Sequence, residues 1–214
     1  MQGPVEFPDL MPNPVFSVPA SRERLERARD ALNRHNIATE IVPDRAAAKE
    51  AVLALVPEGA EVHTGLSETL RELGITAEIE NSGRFRAIRP QLNRMDRETQ
   101  KREMAKLATA PDYMLGSVHA ITEDGSLMIA SGSGSQIAPY ANGAGSVLLV
   151  AGAQKVVRDV EEGLRRVREY AYPMEDARMK SVGRPGSLLA QILIMFWASP
   201  GRIHLFISEE PIGF

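Results

Sequence analysis

The sequence contains no cysteine. That excludes a disulfide framework, a thiolate zinc site, a cysteine-ligated iron–sulfur cluster and a cysteine nucleophile within this chain. It also fits a reducing compartment. Positive charge is not in excess: 25 Lys and Arg stand against 28 Asp and Glu, for a net charge of -3 and a pI near 5.9. Binding to nucleic acid rests on clustered Lys and Arg neutralising phosphates, so no nucleic acid is expected as a partner. Long apolar runs are missing too. The longest, Leu188 to Ala198, contains Gln191 and falls short of the ~20 residues that cross a bilayer, so no membrane span is expected. The N-terminus lacks a basic stretch followed by an apolar run; Gly3, Pro4, Pro8, Pro12 and Pro14 interrupt it instead. A cytoplasmic protein is the expectation.

What is present suits one domain of ordinary size. A chain of 214 residues with 43% hydrophobic content can bury roughly 70% of its unfolded surface, enough for a core without staples. Residues 1–19, rich in proline and aperiodic, read as an N-terminal arm, and 20–214 as a single α/β domain. Ser21 is placed to cap a helix over Arg22 to His35, where Leu25, Ala28, Ala31 and Leu32 recur at helical spacing. A strand over Ile37 to Val42, a helix after Pro43-Asp44 and a short strand over Ala60 to His63 follow. Beyond a helix over Leu66 to Leu73, Ile75 to Ile79 reads as weakly extended and 91–110 as one polar helix. Three short apolar runs, Tyr113 to Val118, Ser126 to Ala130 and Ser146 to Ala151, read as strands. A charged amphipathic helix is expected over Val156 to Tyr172. Leu188 to Trp197 and Arg202 to Ser208 read as an antiparallel hairpin turning at Ser199-Pro200-Gly201. Helices alternating with short strands define a three-layer α/β domain whose sheet is largely parallel with an antiparallel edge.

The densest chemical signal runs from Gly116-Ser117-Val118-His119 to Thr122-Glu123-Asp124-Gly125, then Ser131-Gly132-Ser133-Gly134-Ser135-Gln136. Glycines and serines directly after a strand let backbone N–H groups turn toward an anion, and a helix starting near Ser135 would add its positive end. The spacing matches neither the dinucleotide fingerprint nor a P-loop, and on the residues alone a tight strand-to-helix connection with self-satisfied serines is the favoured reading. Glu123 and Asp124 are candidate acid/base carboxylates, or turn residues. His63, with Thr64 and Gly65, ends a strand at the carboxyl edge, where open α/β sheets bind ligands. It reads as an acid/base group or as a packed strand-end histidine. Lys155 follows the strand Ser146 to Ala151 at the same kind of edge and suits an anion. Arg178 offers a guanidinium for a carboxylate or phosphate, or an ion pair with Glu175 or Asp176. Arg165, Arg166 and Arg168, interleaved with glutamates, read as a solvated helix face. No metal-ligand spacing is present.

In their order these segments resemble the LUD domain, the lactate-utilisation family. The resemblance rests on Ala120 to Gly125, the small-residue loop to Gln136, Val147 to Gly152 with Lys155-Val156-Val157, and Pro173 to Arg178. Pro200 to Ile207 and Ile212-Gly213-Phe214 continue it. It implies a fold like that of the sugar-phosphate isomerase and CoA-transferase superfamily. It also implies a role in L-lactate oxidation as a short accessory protein that binds a small anion, a 2-hydroxy or 2-keto acid, or a redox partner, beside an iron–sulfur LUD partner. The alternative it implies is a free-standing enzyme related to sugar-phosphate isomerases or CoA transferases, using Glu123. No cofactor identity follows; without cysteine, electrons would have to pass through a partner or a bound organic cofactor. Two departures bear on the site: Gly134-Ser135-Gln136 stands where relatives have Gly-Asn-Arg, and Asn142 to Ser146 where others have a Pro-Pro-Val-His-like run.

Overall fold

In the computed structural model, residues 11–214 are described; the first ten residues of the proline-rich segment lie outside them. Within the segment expected as an aperiodic arm, Pro14–Ser17 form a 3-10 turn capped by Asn13 and bury Phe16. Ser21 accepts the Arg24 amide and starts α1 (Arg22–Arg34), which buries Leu25, Ala28, Ala31 and Leu32 along one stripe. Asn36, at φ 60°, turns the chain into β1 (Ile37–Val42). Asp44 caps α2 (Arg45–Ala54) through the Ala47 amide at 2.8 Å. Then come β2 (Glu61–Thr64) and α3 (Glu68–Glu72).

The weakly extended reading of 75–79 is corrected: α4 (Ile75–Asn81) is a helix, and Ile75 and Ile79, four residues apart, are both buried. After β3 (Arg86–Ala87), the single polar helix divides into α5 (Ile88–Arg94) and α6 (Lys101–Thr109). Asp96 causes the break. Its carboxylate accepts the Glu98 amide and the Thr99 hydroxyl at 2.8 and 2.9 Å, offering the backbone a turn in place of helix.

Next come β4 (Tyr113–Gly116), β5 (Ala120–Thr122), β6 (Leu127–Ser131), β7 (Ser146–Gly152) and β8 (Val156–Val157). The helix expected from Val156 begins later: Asp159 caps α7 (Val160–Arg166), a π segment covers Val167–Ala171, and α8 (Tyr172–Ser181) completes it. The last strands are β9 (Gln191–Met195) and β10 (Ile203–Ser208).

Six strands form a parallel sheet in the order β1-β10-β7-β4-β2-β3, and four form a mixed sheet in the order β8-β5-β6-β9. The expected hairpin is therefore corrected. β9 pairs antiparallel with β6 in the mixed sheet, while β10 runs parallel between β1 and β7. Strand alternation sends Val147, Leu149 and Ala151 to one face of β7, and Leu148 and Val150 to the other. The first face packs on α1 and the mixed sheet, the second on α2, α3 and α4. This is a three-layer α/β arrangement with both faces of the parallel sheet covered. No helix among the described residues is long and apolar enough to cross a membrane.

Candidate functional site

The carboxyl ends of β2, β4 and β7 lie side by side, and the residues that leave them converge. Lys155 closes the 3-10 turn after β7 and is 1% exposed. Its Nζ donates to Thr69 Oγ1 of α3 at 2.9 Å and to Ser117 Oγ, just beyond β4, at 3.0 Å. Burial pushes its pKa well below that of an ordinary lysine, Arg166 pushes the same way, and Glu72 opposes.

Arg166 of α7 is fully buried, which corrects its place on a solvated face; Arg165 beside it is exposed and paired with Glu169. Its guanidinium donates to the carbonyls of Gln154, at 3.1 Å, and His119, and sits 5.2 Å from the Tyr170 ring. Burial lowers its pKa to about 10. His119 Nδ1 accepts the Ala130 amide at 3.0 Å. Burial, then Lys155 and Arg166, lower the pKa of this imidazole to about 3, so it is neutral with its proton on Nε2.

Tyr140 roofs the other side. It lies in a π segment, Pro139–Gly143, and its hydroxyl sits where a Cβ on Gly116 would stand, 1.5 Å from that position. The Ser117 amide hydrogen-bonds to this oxygen, and burial raises the phenol's pKa. A Cβ on Gly65 would lie 3.2 Å from the same hydroxyl and 3.4 Å from Gln136 Oε1. Gln136 is anchored by donating to the Ala130 carbonyl at 2.8 Å.

On β2, Arg89 of α5 donates to the Thr64 carbonyl and to Thr64 Oγ1 at 3.3 Å, with Glu80 at 3.8 Å. His63 is 4% exposed and its Nδ1 has no hydrogen-bond partner. Burial and Arg89 bring its pKa to about 4. The C-terminal tail lies over Lys155's neighbours: Gln154 Nε2 donates to the carbonyls of Ile212 and Gly213, each at 3.0 Å, and Thr69 Oγ1 to that of Ile212 at 3.4 Å.

Of the residues expected from sequence, the structure brings together His63, Thr64, Gly65, Gln136 and Lys155. The Ser131 to Ser135 loop borders them but engages its own groups. Ser131 Oγ accepts the Gly134 amide at 3.0 Å, and Ser133 Oγ accepts the Ser135 amide while donating to Ser135 Oγ. Gly132 packs against Leu188. Only one helical turn precedes the π segment, so no regular helix starts at Ser135. Thr122, Glu123 and Asp124 form a turn against α1. Glu123 accepts from Arg24 at 2.5 Å and from Arg27 at 2.7 Å, and its pKa is lowered: burial opposes, and the two arginines outweigh it. The Thr122 hydroxyl donates to Asp124. Arg178 is held bidentate by Glu175 at 2.7 Å. Thr69, Arg89, Tyr140 and Arg166 were not legible as site residues, since each reaches the edge from an element remote in sequence. Among the described residues, no cluster of three or more metal-ligating side chains occurs.

A layer of helices, a parallel sheet and a mixed sheet, with polar groups gathered at the strand ends, define an α/β protein with a carboxyl-edge site. The LUD domain model matches residues 25–204, and the chain belongs to the LUD-domain family, which relates it at family level to lactate utilisation. Its fold is similar to that in the 1.70 Å crystal structure of a DUF162 family protein from Deinococcus radiodurans. The TM-score is 0.55 at 15% identity, over 89% of this chain and 99% of that one. No curated protein matches the chain.

Proposed function

We propose that this chain holds a small organic anion, a 2-hydroxy or 2-keto acid, where the ends of β2, β4 and β7 meet. In this reading it is a cytoplasmic accessory component of a lactate-type oxidation system, beside an iron–sulfur LUD partner. The observation that carries it is the pair Lys155 and Arg166. Both are buried, and neither has a carboxylate within ion-pair distance among the described residues. Glu72 acts on Lys155 from farther away, and is itself engaged by Arg45 at 3.7 Å and the Gly213 amide at 3.2 Å. Burying the Arg166 cation costs several kcal/mol unless an anion accompanies it, and a ligand carboxylate supplies one; Lys155, which burial and the same guanidinium hold toward the uncharged amine, needs no counter-ion of its own.

Thermal unfolding with L-lactate, pyruvate and inorganic phosphate tests this. An organic acid at 100 times its Kd should stabilise the wild type by about 2.7 kcal/mol. Lys155→Met should remain folded and lose that response; an equal response in the variant overturns the reading. The enzyme reading through Glu123 is disfavoured, because a base needs a free oxygen and both of its oxygens are taken by arginines. Glu123→Gln should therefore leave the ligand response intact and cost at most about 1 kcal/mol of stability, measured by urea unfolding.

A further inference from the structure

We infer that Lys155 forms a covalent imine with the carbonyl of a small 2-keto acid; this rests on the anion-site reading above and goes beyond it. Nζ is buried without a counter-ion. Its two hydrogen-bond partners are neutral hydroxyls, Thr69 and Ser117, and no carboxylate lies at ion-pair distance among the described residues. A neutral amine has two N–H donors, both used here, so its lone pair is left unengaged at the fourth tetrahedral position. Burial and the Arg166 charge favour that uncharged form.

Groups for the proton transfers are at hand. Tyr140 Oη takes the Ser117 amide, so its own proton is free to be donated, and Ser117 thereby links the phenol to Lys155 Nζ. The step balances without oxidant or reductant. The Lys155 lone pair forms a C–N bond to the carbonyl carbon, the carbonyl π pair moves to oxygen, and both amine protons leave with that oxygen as water. The Arg166 charge, which acts electrostatically on Lys155, favours an anionic 2-keto acid over a neutral ketone. L-lactate, with a hydroxyl in place of the keto group, binds the same site and cannot react.

The test is reductive trapping of the whole chain with pyruvate and sodium cyanoborohydride, read by intact mass and peptide mapping. The chain has five lysines; Lys49, Lys101, Lys106 and Lys180 are exposed or half-exposed and serve as controls in the same digest. The expected result is one carboxyethyl group on Lys155, acquired faster than on any other lysine, because the larger uncharged fraction of this amine is the nucleophilic form. L-lactate should slow the labelling by competition, and Tyr140→Phe should slow it without abolishing pyruvate stabilisation. Label spread evenly over the exposed lysines, with Lys155 unmodified, overturns the imine. If pyruvate still raises the unfolding temperature in that case, anion binding survives and only the covalent step falls. If neither response occurs, both readings fall.

Discussion

Gly116 has room for a hydrogen and nothing larger, because the Tyr140 hydroxyl occupies the space a methyl group would need. Gly116→Ala should destabilise the fold by about 1–3 kcal/mol through overpacking. Adding Tyr140→Phe should restore part of that loss, and a double-mutant cycle in urea would show coupling well above the few tenths of independent sites. The two buried histidines predict a pH response. Their ordinary pKa of 6.5 falls to about 4 for His63 and about 3 for His119 in the folded chain. Between those values the unfolded chain binds protons that the folded chain refuses. Their contribution is therefore complete above pH 6.5 and declines as pH drops toward 4, by up to about 1.4 kcal/mol per unit for each histidine. Urea midpoints at pH 7.5 and 5 should differ accordingly, and His63→Gln should flatten the slope. An unchanged slope would mean that His63 is not held neutral.

At the scale of elements, α7 packs so closely on the mixed sheet that Gly163 opposes its own helix propensity. Gly163→Ala would gain about 1 kcal/mol of propensity. Its Cβ, however, would stand 2.3 Å from the Met128 Sδ. Overpacking costs about 1–3 kcal/mol, so a net loss is expected by thermal unfolding. The elements also show what the sequence could and could not reveal. α1 and α2 were legible because Ser21 and Asp44 cap them and their apolar stripes are regular. α4 was missed because only Ile75 and Ile79 carry its buried face. The β9 and β10 pair misled because Pro200-Gly201 turns the chain equally well toward the same sheet or another. The signal that separates them is burial: β10 is almost continuously buried, as a central parallel strand requires, whereas β9 is half-buried at an edge. In the site, strand-end position made His63, Thr64, Gly65 and Lys155 legible. Arg166 was hidden because a charged run on a helix usually faces water, and only tertiary packing reveals which arginine turns inward.

Across the whole molecule, the site depends on three elements remote in sequence: the turn after β7, α3, and the tail over Gln154 and Thr69. The sheet that supports it is ordered unlike the sequence. Among the described residues β1 stands at its edge with β10 as sole strand neighbour, and Ile37 meets Ile203. On the ribosome, β1 and β7 must therefore wait as two open edges until residues 203–208 emerge to fill the gap between them. Open edges of that kind invite pairing with other chains. The nascent protein thus has its longest need of a chaperone one strand in from the edge of its sheet, where the last strand to be made joins β1 to the four already able to pair.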